Sequence, residues 1–217
     1  MATYVEVVER ASLVRRGRRL SWLTLGYNSL EGIIAVGAGT IAGSIALVGF
    51  GFDSLIEVAA SVAALWRLGA DVDVVDRERA ERLTLRIIGV LFIALGLYVC
   101  MDAAKTLLSR QAPDESTIGI VLAAASLIVM PLLARAKRNV AISLGSRALR
   151  SEAQQTQLCT YLSGILLGGL VLNALFGLWW ADPLAALIMV PIIGKEGVEA
   201  LRGRDTCNDD CEPNHES

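Results

Sequence analysis

The sequence predicts an all-α membrane protein with six transmembrane helices. Of its 217 residues, 54% are hydrophobic and only 19% are charged, whereas a soluble domain has about a quarter charged residues. The mean hydropathy is +0.53. Several apolar stretches reach the roughly 20 residues that a helix needs to cross a bilayer. The partner expected first is therefore the lipid bilayer, and a net charge of −2 gives no reason to expect nucleic acid.

The apolar stretches predict one membrane domain between two polar ends. Residues 1–20 are expected to form an amphipathic, cytoplasmic N-terminus, 21–202 a six-helix transmembrane domain, and 203–217 a flexible cytoplasmic tail. Between the predicted spans lie a charged loop over 69–82, a turn over 109–116 and a basic loop over 135–150. The predicted spans are 21–39, 41–68, 83–108, 117–134, 152–179 and 183–201.

The distribution of basic residues predicts the topology. All but two of the 20 Lys and Arg residues lie in the N-terminal segment, the 2–3 loop, the 4–5 loop and the C-terminal end. Only Lys105 and Arg110 lie on the opposite side. The positive-inside rule therefore places both termini in the cytoplasm. The first apolar stretch has no small-residue cleavage site, so no cleavable signal peptide is expected. We expect an integral, multi-pass protein of the bacterial inner membrane.

Two acids stand near the middle of the second predicted span. Asp53 and Glu57 are four residues apart and therefore share one helical face. An ionised carboxylate at this depth costs about 3 kcal/mol on insertion scales, so acids inside membranes usually serve a function. The pair is interpreted as half of a divalent-cation site where protons and metal compete. The alternative is a pair of buried acids hydrogen-bonded to neighbouring helices.

The start of the fifth predicted span carries a second polar face. Gln155 and Cys159 repeat the four-residue spacing of the two acids, and Glu152 and Thr156 lie on the same face. Two facing helices with such pairs could close four ligands around one ion. A tetrahedral site with a thiolate favours zinc-like ions. Alternatively, the polar groups cross-link helices and Cys159 packs as a small hydrophobic residue.

Two further groups of residues are candidates for supporting roles. Asn28 and Glu31 on the first span, with Glu152, could line the access path or orient the ligands, or they could simply bond to the second span. The tail residues Cys207, Cys211 and His215 could collect ions, or they could belong to a solvated end. Because His215 is the single histidine, no histidine lies within a predicted span.

Three segments carry a family resemblance. Residues 43–57 (GSIALVGFGFDSLIE) resemble the second span of the cation diffusion facilitator family, with its acid-x-x-x-acid pattern. Residues 146–159 (SRALRSEAQQTQLC) and 180–193 (WADPLAALIMVPII) resemble its fifth and sixth spans, and the likeness extends over residues 20–201. It implies six spans, cytoplasmic termini, and exchange of zinc, cadmium, iron or manganese for protons at a four-ligand site between spans two and five.

The resemblance implies particular ligands and includes two departures. Asp53 and Glu57 match the family's pair on span two, whereas Gln155 and Cys159 stand where the family usually has His and Asp. Glutamine offers a neutral oxygen and no exchangeable proton. The family's C-terminal cytoplasmic domain is also missing, so the chain looks like a short form that would form a homodimer through its spans.

The sequence thus predicts a proton-coupled exporter of divalent metal ions. Zinc or cadmium would be its transported substrate, with no permanently bound cofactor and no enzymatic reaction. One alternative is a proton-coupled exporter of organic cations that uses Glu31 or Glu57. Another is a non-transporting membrane protein that binds metal or modulates a partner.

Overall fold

The computed structural model describes residues 2–69, 74–110 and 113–202, and within these it describes the side chains of 10–66, 86–110, 113–146 and 149–202. The regular structure of this part of the chain is entirely α-helical. The all-α class predicted from the sequence is therefore confirmed. The helices are α1 (Ala2–Ala42), α2 (Ile45–Gly69), α3 (Val74–Ser109), α4 (Thr117–Leu144), α5 (Arg147–Phe176) and α6 (Ala181–Leu201).

Four of these helices contain segments long and apolar enough, by length and composition, to cross a membrane. They are Ile45–Trp66, Arg86–Ser109, Thr117–Leu144 and Leu149–Phe176. The 21 residues of α6 also carry Lys195, Glu196 and Glu199 near its C-terminal end, which lowers its apolar length. These four segments are those of an integral, multi-pass membrane protein.

The predicted basic loop over 135–150 is wrong. Helix α4 continues to Leu144, and only Gly145 and Ser146 separate it from α5. Arg, Lys and Ala are good helix formers, so positive charge by itself does not end a helix. The helix ends where Gly145 adopts a left-handed φ of 60°, and the Ser146 side chain then accepts a hydrogen bond from the Leu149 N–H. As a consequence, Lys137 lies within α4 rather than in a loop.

The centre of the bundle is apolar, and α2 lies within it. Helix α2 packs against α1, α3, α5 and α6, while α4 packs along α5 and α3 along α6. The largest fully buried apolar side chains come from α2 to α6: Leu47, Phe50, Phe92, Val99, Met130, Leu149, Leu162, Leu166, Met189 and Ile193. Polar side chains that interrupt this core therefore require specific partners.

Glycine permits the closest approach between helices α1 and α2. A Cβ atom added to Gly51 would lie 2.7 Å from Cγ2 and 2.8 Å from the backbone N of Val36. Gly39 approaches α2 in the same way, with its added Cβ 2.8 Å from the Val48 backbone N. Replacing either glycine would therefore force the two helices apart.

Candidate cation site

The two acids of α2 are buried inside the bundle. Asp53 and Glu57 are each 3% exposed. Glu57 Oε1 accepts a hydrogen bond from the Thr156 hydroxyl of α5, so the acidic face of α2 is directed at α5 at this level. Glu57 Oε2 is buried and has no hydrogen-bond partner. The second carboxylate oxygen of Glu57 is therefore available to a ligand.

The two predicted ligands of α5 are also buried. Gln155 is 7% exposed, and its carbonyl oxygen Oε1 has no hydrogen-bond partner. Cys159 is fully buried as a free thiol. In the part of the chain that the structure describes, no three His, Cys, Asp or Glu side chains are gathered closely enough to hold a metal ion. Asp53, Glu57 and Cys159 thus share the interior without forming a closed coordination sphere.

Helix α1 contributes a third polar side chain, which lies beside Glu57. Asn28 is fully buried, and neither its amide nitrogen nor its oxygen forms a hydrogen bond. Within the described side chains, the buried polar atoms without a partner belong to Asn28, Glu57 and Gln155 alone. Leaving such atoms unpaired costs about 1–3 kcal/mol each, and most buried polar atoms in proteins are paired. Their restriction to three residues singled out in the sequence makes these atoms the candidates for contact with a polar ligand.

Glu31 differs from Glu57 because both of its oxygens are paired. Ser54 of α2 donates to Oε2 at 3.0 Å, and Ser126 of α4 donates to Oε1. The Tyr27 hydroxyl in turn lies 3.1 Å from the Ser126 hydroxyl. Glu31 therefore joins α1, α2 and α4 through a satisfied network of hydroxyl groups.

Glu152, predicted as a supporting residue, is the centre of another network. Ser21 of α1 donates to Oε2 at 2.7 Å, and Ser61 of α2 donates to Oε1 at 2.9 Å. The Lys137 ammonium of α4 forms an ion pair with Oε1 at 2.8 Å. This carboxylate thereby holds four helices together at one level of the bundle.

Lys137 is the main residue that sequence reasoning missed. It is fully buried, and its ammonium also donates to the Thr156 hydroxyl at 3.0 Å. A signal was present in the sequence, because Lys137 continues a helical stripe of small or apolar residues that α4 buries: Ala123, Ser126, Met130, Ala134 and Ala141. A basic residue on the buried stripe of a helix indicates a buried acidic partner.

The three tail residues predicted to collect ions, Cys207, Cys211 and His215, lie outside the residues that the structure describes.

A multi-helix membrane bundle with acids buried at its centre is typical of a membrane protein whose function depends on those acids. The family model described as the cation efflux transmembrane domain matches residues 21–203. The chain therefore belongs to the cation efflux family, which is the cation diffusion facilitator family that the three segments of its sequence resemble. This membership implies a transporter rather than an enzyme.

Three relatives illustrate this membership. The chain is 26% identical over 179 residues to an uncharacterized transporter of Synechocystis sp., covering 80% of this chain and 58% of the relative. It is 24% identical over 214 residues to Transmembrane protein 163 of Xenopus laevis, covering 91% and 76%. It is 27% identical over 195 residues to the cation-efflux pump FieF of Cronobacter sakazakii, covering 82% and 63%. The chain thus spans less than two thirds of the length of two of them.

Proposed function

We propose that this chain exports a divalent metal ion, zinc or cadmium, from the cytoplasm in exchange for protons. Membership of the cation efflux family and the name of one relative, a cation-efflux pump, support transport of a cation. The observation that carries the proposal is the set of unpaired buried polar atoms on Asn28, Glu57 and Gln155, beside buried acids. A cation bound there would give these oxygen atoms the partner that the bundle does not supply.

The proposed ligands are Asp53, Glu57, Gln155 and Cys159. Two carboxylates, one amide oxygen and one thiolate make a four-ligand set that suits a tetrahedral ion. The sulfur favours zinc or cadmium over magnesium, calcium or manganese. Binding requires α2 and α5 to bring these groups closer together than in the described arrangement. Asn28 and Glu152 are proposed to orient the ligands, and the tail cysteines and histidine to collect ions.

Proton exchange follows from the chemistry of the same ligands. Carboxyl and thiol groups lose their protons when they bind a metal, so binding releases protons and protonation releases metal. Gln155 binds through a neutral oxygen and takes no part in this exchange. Only Asp53, Glu57 and Cys159 therefore serve as proton acceptors at the proposed site, which limits the number of protons exchanged per ion.

We further propose six spans with both termini in the cytoplasm. The concentration of Lys and Arg at one side of the predicted spans supports this topology. It places the α4–α5 connection on the cytoplasmic side of a bacterial inner membrane. A homodimer would form through the transmembrane helices.

Zinc uptake into inverted vesicles under an imposed proton gradient tests the proposal. Asp53→Ala should abolish uptake, whereas Asp114→Ala, which removes an exposed acid before α4, should not change it. Equal uptake by the Asp53→Ala variant and the unaltered chain would overturn the site assignment. Transport of an organic cation but not zinc, or binding of zinc without transport, would favour the two alternative functions.

A further inference from the structure

The buried pair Lys137–Glu152 lies between the proposed cation site and one end of the bundle. On α5, Glu152 is one turn from Gln155 and two turns from Cys159, toward the helix start. On α2, Ser61 is one turn beyond Glu57, toward the helix end. The hydrogen bonds of Ser61 and Ser21 to Glu152 bring these positions together with Lys137. One polar layer from α1, α2, α4 and α5 therefore covers the site on the side of the α4–α5 turn.

The opposite side of the site is covered by different chemistry. There α2 continues into Phe50 and Leu47, and α5 continues into Leu162 and Leu166, all fully buried. An apolar plug of this kind stays closed because opening would expose hydrocarbon to water. A buried ion pair behaves differently when it separates, because water that enters rehydrates both charges and recovers their desolvation penalty. The site is thus closed by an ion pair and hydrogen bonds at one end and by apolar side chains at the other.

The ion pair is also connected to a proposed ligand. Lys137 donates to the Thr156 hydroxyl at 3.0 Å, and that hydroxyl carries a single proton for which Glu57 Oε1 and the Glu152 backbone oxygen compete. Because Lys137 donates to one of the two lone pairs of the hydroxyl oxygen, the hydroxyl proton points away from the ammonium and toward these acceptors. The same ammonium therefore both holds the layer closed and orients the Glu57 carboxylate, leaving Oε2 free.

We propose that Lys137 and Glu152 form a charge latch that closes the access path to Glu57 and Cys159 from the α4–α5 side, with Ser21 and Ser61 attaching α1 and α2 to it. Only the purpose of the latch, which is to admit a cation, rests on the proposed function. Its contacts exist without any cation. When it opens, Glu152 becomes a hydrated carboxylate at the mouth of the path, which attracts cations.

Alkylation of Cys159 measures the latch directly. The test uses the full chain in membrane vesicles with Cys100, Cys207 and Cys211 replaced by Ser, so that Cys159 is the single thiol. A membrane-impermeant maleimide, which alkylates a thiol by addition, is supplied from either side. A separate Ser143→Cys variant, exposed beside the α4–α5 turn, identifies that side. The latch variant is Lys137→Met with Glu152→Gln, which removes both charges and leaves no unpaired ion.

The latch variant should react about tenfold faster than the unaltered pair, and only from the α4–α5 side, because local opening becomes easier there. The matched control is Lys195→Met with Glu199→Gln, which removes a partly exposed ion pair of 3.6 Å from α6 and should leave the rate unchanged. An unchanged rate in the latch variant, or an equal increase from both sides, would overturn the proposal. An equal increase would indicate general loosening.

Two further measurements keep the result decisive. If the latch variant does not assemble, Ser21→Ala with Ser61→Ala retains the ion pair and should still raise the rate severalfold from the same side. No increase there would also overturn the latch. Zinc added to the Ser21→Ala, Ser61→Ala variant, which keeps Lys137 and Glu152, should slow alkylation if Cys159 is a ligand. Lack of zinc protection with accelerated alkylation would contradict the proposed function while supporting the latch.

Discussion

Ser44 and Asp182, 138 positions apart in the chain, form a hydrogen bond of 2.5 Å that joins the starts of two helices. Asp182 Oδ2 also accepts the backbone N–H of Ile45 at 3.0 Å, and the Ser44 hydroxyl oxygen accepts the Leu47 N–H at 3.2 Å. An acid from α6 therefore caps the N-terminus of α2, where free N–H groups and the helix dipole favour negative charge. This contact positions the start of the helix that carries Asp53 and Glu57.

The cap predicts a specific loss of stability. Asp182→Ala should lower the free energy of unfolding by about 1–3 kcal/mol, because it leaves the buried Ser44 hydroxyl and the Ile45 N–H without an acceptor. Thermal unfolding of the purified chain in detergent measures the change. Asp114→Ala, at an exposed position, should change stability by less than about 0.5 kcal/mol. Equal effects of the two substitutions would contradict a capping role.

The contact between α1 and α2 predicts opposite results for two glycines. Gly51→Ala should destabilise the bundle by about 1–3 kcal/mol, because the new methyl group would overlap Val36. Gly37→Ala should be neutral or slightly stabilising, since nothing lies within 4 Å of its added Cβ and alanine is the better helix former. Unfolding of the two variants in the same detergent provides the comparison. Similar free energies of unfolding for the two variants would show that α1 and α2 can move apart without a loss of stability.

The different pairing of the two glutamates predicts different effects on transport. Glu57→Gln should reduce zinc uptake by about a hundredfold or more, because it removes a charged ligand with a free oxygen. Glu31→Gln should retain most uptake, because one of the two serines, Ser54 or Ser126, can still donate to the amide oxygen while the other hydroxyl rotates to accept from the amide NH2 group. Uptake rates in vesicles measure both variants. Loss of uptake in Glu31→Gln with retention in Glu57→Gln would move the site toward α1.

The thiol predicts ion preference. Cys159→Ser should lower cadmium affinity about tenfold or more relative to manganese, because sulfur favours soft ions and a hydroxyl does not. Calorimetric titration of each ion into the purified variant gives the ratio. Cys100→Ser is the matched control, since Cys100 is exposed on α3 and should leave the ratio unchanged. An unaltered ratio in Cys159→Ser would exclude sulfur from the proposed ligand set.

Two considerations were sufficient to predict the all-α class, the burial of Asp53 and Glu57, and the polar face that includes Gln155 and Cys159. They are helical periodicity and the free-energy cost of placing a charge inside a membrane. These features depend on residues three or four positions apart, and local spacing is visible in one dimension. The family resemblance was visible for the same reason, since it lies in short runs of residues. The predicted end of the fourth helix was wrong, because a run of positively charged residues was interpreted as a loop.

Only the tertiary structure decided which buried acids have partners. Ser21 and Lys137 are 131 and 15 positions from Glu152, and no local pattern links them. The same acid type is fully paired at Glu31, ion-paired at Glu152 and half free at Glu57. Burial in a low-dielectric interior makes each pairing energetically decisive, but the partners come from other helices. The sequence by itself therefore determined which positions bring an acid into the bundle. The packing of the six helices decided which of those acids has an oxygen without a partner.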